Sequence, residues 1–188
     1  METVAAWIDE ARAAGTLGWD TLYLATATAD GRPAVRAVLL RAFDERGFVF
    51  YTDRRSRKGR ELATNPRAAL VLHWASLERQ VRAEGPVTMV AAAESDAYFA
   101  HRPRGHQLAA WTSDQSEVLA DRADLERRYE EARRRFEGGD VPRPPYWGGY
   151  RVEPDEVELW QGRPDRLHDR VRWRLGEAAG WTSERLWP

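Results

Sequence analysis

The chain has 188 residues, with 29 basic and 30 acidic side chains, a formal net charge of −1 and no cysteine. That length fits one domain with its own core, spanning residues 1–188, and the balanced charge excludes a general polyanion binder, so no nucleic-acid partner is expected. The missing cysteines exclude disulfides, thiolate nucleophiles, iron–sulfur clusters and most structural zinc sites. His73, His101, His106 and His168 form no His-x-x-x-His pair, so no metal site is expected. No apolar run reaches the roughly 18 residues of a membrane span. Met1-Glu2-Thr3-Val4-Ala5 lacks the basic and apolar pattern of a signal peptide, so a cytoplasmic location without membrane attachment is expected.

In chain order, Val4, Ala5, Ile8 and Ala11 recur at helical spacing and predict a short amphipathic helix over 3–14. A strand is expected over 22–28, ending at Asp30-Gly31, and a second over 35–43. Asp44-Glu45-Arg46-Gly47 makes a tight connection to a return strand over 48–52. A short helix over 56–64 closes at Asn65-Pro66, followed by strands over 68–74 and 78–84. A helix over 92–101 stops at Pro103, and a long charged helix covers 121–136. Three strands near 150–153, 157–160 and 169–175 close the chain. Many short strands with a few helices predict a mainly β, α+β fold built on a β-barrel. The order is no repeated strand–helix alternation, and no Gly-x-Gly-x-x-Gly occurs, which sets aside a doubly wound parallel sheet.

Thr52-Asp53-Arg54-Arg55-Ser56-Arg57-Lys58 lies between a strand and a helix start, where unpaired N–H groups and a positive dipole end favour an anion. Cations in a first helical turn oppose that dipole, and a bound phosphate resolves the conflict. Lys58 is the only lysine in a chain otherwise basic through arginine. A solvated basic turn accounts for the same residues, and both readings stay open at this level.

Further segments carry a resemblance. Arg36-Ala37-Val38-Leu39-Leu40-Arg41, Phe50-Tyr51-Thr52, Ser56-Arg57-Lys58 and Leu77-Glu78-Arg79-Gln80-Val81 resemble, in order and spacing, segments of the pyridoxamine/pyridoxine 5'-phosphate oxidase family. So do Tyr98-Phe99-Ala100-His101-Arg102-Pro103-Arg104, Gln115-Ser116, Trp147-Gly148-Gly149-Tyr150, Trp160-Gln161-Gly162 and Arg166-Leu167-His168-Asp169-Arg170. The likeness runs from about residue 20 to the C-terminus.

The resemblance implies a dimeric split β-barrel with flavin mononucleotide (FMN) in the cleft between subunits. It implies FMN contacts at Arg36, Val38, Leu39, Arg41, Tyr51, Thr52, Arg57, Lys58, Gln80, Gln115, Ser116, Trp160 and Arg170, with Trp160 and Arg170 on the partner's side of the flavin from Lys58. It implies substrate contacts at Arg41, Tyr98, Arg102, His106, Arg166 and His168, the last two positioning the substrate over the flavin. The implied reaction is hydride transfer from pyridoxamine or pyridoxine 5'-phosphate (B6 vitamer phosphates), with O2 reduced to H2O2 and no indispensable nucleophile.

Local patterns bear on these roles. Tyr98 and Arg102, four apart, share one face of a helix, as do polar residues of an ordinary amphipathic helix. Arg166, His168 and Arg170 alternate, so an extended strand turns all three one way; a solvated strand face shows the same pattern. Gln80 shares a polar strand face with Glu78 and Arg82, and Trp160 fits either core or ligand site. Arg36 and Arg41 are five apart, so they reach one ligand only where the strand bends or ends between them.

Three departures from the family bear on the substrate: Arg41 stands where members carry a lysine, His106 where they carry a serine, and the late start of the sequence leads to the expectation that the N-terminal arm that covers the substrate in typical members is missing. A rival is therefore the same flavin site acting on a dihydro-aromatic, phenazine-type intermediate. A second rival is a non-enzymatic module that binds FMN or pyridoxal phosphate.

Overall fold

The computed structural model describes residues 1–176 and 180–188. Helix α1 (Glu2–Ala13) is amphipathic as expected: Val4, Ile8 and Ala11 are buried at its inner face. The strands are β1 (Thr21–Ala27), β2 (Pro33–Leu39), β3 (Ala42–Asp44), β4 (Gly47–Asp53), β5 (Arg67–Trp74), β6 (Arg79–Met89), β7 (Trp147–Val152), β8 (Glu156–Gln161), β9 (Asp169–Gly176) and β10 (Gly180–Arg185). Helix α2 (Arg57–Thr64) follows β4, and α3 (Ala92–Ala100), α4 (Arg104–Thr112) and α5 (Arg122–Arg135) lie between β6 and β7.

The sheet runs β10-β9-β8-β6-β5-β1-β2, with β3, β4 and β7 branching from β6, and every pairing among the described residues is antiparallel. The long strand β6 turns the corner. Its first half pairs with β8 from Arg79↔Gln161 to Glu84↔Glu156, and its end pairs with β7 from Val87↔Val152 to Met89↔Tyr150. Gly85 sits between the two halves, and a Cβ there would meet the Glu153 carbonyl oxygen at 2.1 Å. The absence of a side chain lets the strands cross closely, and the sheet curls into a split β-barrel.

Leu22, Leu24, Phe48, Phe50, Leu70, Leu72, Trp74 and Val81 fill the barrel under α1, each at most 1% exposed. Each such side chain contributes about 1.5–3 kcal/mol on burial. A second apolar cluster, with Phe99, Leu108, Ala132 and Trp147, fastens α3, α4 and α5 to β7. Among the described residues no helix is long and apolar enough to cross a membrane.

Five expectations change. The three closing strands are four, because β10 adds to β9 from Gly180↔Gly176 to Arg185↔Val171. The single strand over 35–43 is two strands, because Leu40 N–H donates to the Asp20 carbonyl while Arg41 N–H donates to the Val49 carbonyl: the chain changes partner between them. Glu78 is not on β6; it closes a short 3-10 turn at φ 51°. Pro103 ends α3's region but also begins α4 at once, as its N-cap. Arg166 and His168 precede β9: Pro164–Arg166 form a 3-10 turn with Asp165 at φ 58° and Arg166 at φ 63°, so the strand alternation with Arg170 does not exist.

Candidate functional site

A cavity of about 840 Å³ opens beside the edge strand β2, between the start of α2 and the α3–α4 turn. The partner change at Leu40 brings Arg36 and Arg41 to this one cavity, which answers the five-residue spacing.

Its α2 end is cationic. Ser56 caps α2, its Oγ accepting from Gly59 N–H and donating to the Asp53 carbonyl oxygen. Position 59 admits only glycine, since a Cβ would meet the Arg54 carbonyl oxygen at 2.1 Å; this fixes the approach of β4 to α2. Arg57 does not need an anion, because it reaches Glu61 one turn on at 2.8 Å. Glu61, buried, also accepts from Arg36 at 3.1 Å and from Thr26 at 2.5 Å. Burial would raise the Glu61 carboxyl, but the hydrogen bonds from Thr26, Arg57 and Arg36 hold it below the usual carboxylate range.

Lys58 is different. The residue is 7% exposed, and its ammonium donates to three neutral oxygens: Gln115 Oε1 at 3.0 Å, Thr52 Oγ1 at 3.1 Å and Ser56 Oγ at 3.3 Å. Burial, and then the nearby Arg36, push Lys58 down to about 8. A buried ammonium among neutral acceptors is costly unless an anion completes it. The conflict between charge and helix start therefore sits on Lys58 and not on Arg57. Gln115, Ser116, Val38 and Leu39 complete this part of the wall.

The other end is aromatic and also cationic. Tyr51 lies nearly parallel to Tyr98, centroids 4.0 Å apart, and to Trp147 at 5.4 Å. Burial first, with Glu94 and Tyr98 nearby, pushes the Tyr51 phenol up to about 12, so it stays neutral. The Arg102 guanidinium covers Trp147 at 4.6 Å, and its buried Nη1 has no hydrogen-bond acceptor among the described residues. Burial, assisted by Arg41, lowers the Arg102 pKa, against the opposing pull of Tyr98. Arg41 is held by Asp20 at 3.1 Å, and His101 and His106 complete the rim. Arg102 follows the end of α3 but still shares the cavity with Tyr98.

Gln80, Trp160, Arg166, His168 and Arg170 do not line this cavity. Gln80, Trp160 and Arg170 are direct cross-strand neighbours on β6, β8 and β9, so they form a row on one sheet face. His168 packs on Trp160 at 4.6 Å, and its Nδ1 accepts from Arg163 N–H at 3.1 Å. Trp160 is half-buried by this contact and is not part of the core. Arg170 is fixed by the buried Glu158 at 2.8 Å and by the Trp187 carbonyl oxygen at 3.0 Å. The residues expected at the site thus fall into two separate groups.

Sequence reading missed Trp147, His101, Glu61 and Glu158. Trp147 stood in a motif beside Gly148-Gly149, a pair that marks close packing; Glu61 has a local signal only in its i,i+4 spacing from Arg57, and nothing local singles out Glu158.

The residues present fit a ligand with a phosphate at one end and a flat aromatic body. A lone buried ammonium waits at the α2 end, and an acceptor-free guanidinium backs the ring wall at the other. On this fold, such a cavity defines a flavin-nucleotide-dependent oxidoreductase of the split-barrel type.

Comparison with known proteins specifies the family. Residues 8–136 match the family model described as pyridoxamine 5'-phosphate oxidase, and residues 147–188 match the pyridoxine 5'-phosphate oxidase C-terminal dimerisation region. A pyridoxine/pyridoxamine 5'-phosphate oxidase of Rubrobacter xylanophilus is 57% identical over 182 residues, covering 97% of this chain and 83% of the relative. That of Cupriavidus taiwanensis is 54% identical, covering 97% and 85%. Among solved structures, PhzG from Burkholderia lata, in complex with tetrahydrophenazine-1-carboxylic acid, superposes with a TM-score of 0.94 at 34% identity, covering 100% of this chain and 91% of PhzG. An FMN-binding relative from Nostoc punctiforme, at TM-score 0.78 and 20% identity, shares the fold. The chain belongs to the pyridoxamine 5'-phosphate oxidase family, a family of oxidases, and its cofactor is FMN.

Proposed function

We propose that the chain oxidises pyridoxamine or pyridoxine 5'-phosphate to pyridoxal 5'-phosphate and reduces dioxygen to hydrogen peroxide. The alcohol substrate gives up two hydrogens; the amine also takes up water and releases ammonia. The observation that carries this reading is the convergence of Arg41, Tyr98, Arg102 and His106 at one end of the cavity, with the Arg102 Nη1 donor buried and free. Guanidinium groups and a phenol together suit a phosphate ester.

The proposed cofactor set in the cavity is Arg36, Val38, Leu39, Arg41, Tyr51, Thr52, Arg57, Lys58, Gln115 and Ser116. Bound FMN supplies a two-electron acceptor that dioxygen reoxidises. The protein's part is to bind and orient. Lys58 and the α2 start take the cofactor's phosphate; Arg102, Tyr98, Arg41 and His106 take the substrate's. Gln80, Trp160, Arg170, Arg166 and His168 come from a second copy of the chain, the last two positioning the substrate.

Homodimerisation is supported by the sheet's outer face. Opposite residues of an antiparallel pair share a face, so Leu39, Val35, Tyr23 and Val71 lie on the same side as Gln80, Trp160 and Arg170. Val35 is 70%, Tyr23 46% and Leu39 44% exposed in the single chain. An exposed apolar patch on β1 and β2, on the same sheet face as Trp160 and Arg170 of the matched dimerisation region, marks an interaction surface.

A second reading rests on the likeness to PhzG: a tricyclic carboxylic acid would meet the same Arg102. Anaerobic mixing of the FMN-loaded protein separates the two. Pyridoxamine 5'-phosphate is expected to bleach the flavin absorbance and, under air, to yield peroxide. Bleaching by a dihydrophenazine carboxylic acid, with none by either vitamin phosphate at any concentration, would overturn the first reading for the second.

A further inference from the structure

Gln115 and Ser116 lie in the stretch between α4 and α5, and Gln115 Oε1 accepts from Lys58 Nζ at 3.0 Å and from Thr52 Oγ1 at 2.9 Å. Both residues are exposed, and Ser116 has φ 75°, a left-handed backbone that serine does not favour. A loop with that backbone needs flanking contacts to hold its shape.

The flanking residues supply them. Asp114 pairs with Arg128 of α5 at 2.8 Å and with Arg55 at 3.4 Å. Glu117 pairs with Arg60 of α2 at 2.6 Å. Arg55 is itself immobilised, by the Asp53 carboxylate at 2.8 Å and by the Tyr146 ring 3.3 Å from its guanidinium carbon. Arg55 and Arg60 bracket Lys58 along the chain, as Asp114 and Glu117 bracket Gln115-Ser116. The two carboxylates therefore fasten the loop to the same helix start that carries the buried ammonium.

We propose that Asp114 and Glu117 are positioning residues for FMN. They form a charge latch that holds Gln115 and Ser116 against Lys58, and neither lines the cavity itself. This rests on FMN occupying that cavity. The latch is exposed, with Glu117 58% and Asp114 50% accessible at the side chain, so salt screens it. The buried Lys58 is screened far less.

The test is titration of the apoprotein with FMN, followed by flavin fluorescence, at about 0.1 M and about 1 M salt, where the Debye length falls from about 10 to about 3 Å. Each exposed ion pair is worth a factor of about 1.4 to 5. With three pairs removed, Asp114→Asn/Glu117→Gln is expected to raise the FMN Kd by about 3- to 100-fold at the lower salt. The gap from wild type should narrow at the higher salt. Arg60→Glu alone should weaken FMN binding, and adding Glu117→Arg should restore it, because the pair is re-formed with its charges exchanged. A wild-type Kd in the neutralised variant, a gap that salt does not narrow, or a charge swap no better than Arg60→Glu alone would each overturn the latch. Wild-type protein that takes up no FMN would overturn the cavity assignment beneath it.

Discussion

Lys58→Ala is expected to weaken FMN binding by about 10- to 150-fold, the equivalent of one charge-assisted hydrogen bond of ~1.5–3 kcal/mol. The ammonium is buried, already surrounded by Thr52, Ser56 and Gln115, and lacks a carboxylate within ion-pair distance among the described residues. A phosphate dianion supplies the missing charge. The pH dependence follows from the same geometry. In the free protein Lys58 titrates at about 8, lowered by burial and then by Arg36. A bound dianion raises that value. Well below pH 8 the group is protonated with or without FMN, so the affinity does not vary with pH through it. As the pH rises above 8, binding must take up a proton, and Kd climbs by up to about tenfold per unit until the raised value in the complex is passed. Equilibrium titration between pH 7 and 10 reads this out. Lys58→Ala should abolish the rise, and an equal rise in both proteins would remove Lys58 from the phosphate site.

Arg102→Ala is expected to lower kcat/KM for pyridoxamine 5'-phosphate by about 10- to 150-fold, mainly through KM. The buried Nη1 without an acceptor, above the Trp147 ring, is a donor that folding leaves unsatisfied. Such a group costs about 1–3 kcal/mol in the free protein, and a phosphate oxygen recovers it on binding. The specific signature is a lost preference. Wild type should strongly favour the phosphorylated vitamer over free pyridoxamine, and Arg102→Ala should discriminate far less. A variant that keeps the wild-type ratio between the two would place the phosphate elsewhere.

The sequence was most informative where chemistry and local geometry coincide. The strand–turn–helix around Ser56, Arg57 and Lys58 forms as expected, and Arg36, Arg41, Tyr98, Arg102, His106, Gln115 and Ser116 share one cavity with it. What escaped depends on partners distant in the chain. The alternation from Val35 to Phe43 runs on across Leu40, while the hydrogen bonding passes from Asp20 to Val49 at that point. Arg166 and His168 alternate with Arg170 in sequence, yet Pro164 and two left-handed residues place them in a turn. Strand β10 is exposed along its length, so it has no apolar alternation to betray it. Glu61 matters because it holds Arg36 of β2, and Glu158 because it holds Arg82 of β6 and Arg170 of β9, roles that spacing does not encode.

The largest consequence of the fold is the division of the expected site residues into two groups. Lys58 and its neighbours line the β2-edge cavity, while the Gln80, Trp160 and Arg170 row lies outside it, on the sheet face that carries the exposed Val35 and Tyr23. A two-fold dimer would join one copy's cavity to the other copy's row and make two equivalent sites. Subunit complementation tests this most directly. Lys58→Ala and Arg170→Ala chains, each defective alone, are co-expressed with different tags, and the mixed dimer is isolated through both. The mixed dimer contains one site with Lys58 from one chain and Arg170 from the other, and it is expected to regain tight FMN binding and oxidase activity at that site. A mixed dimer as defective as its parents would contradict a site shared between two chains.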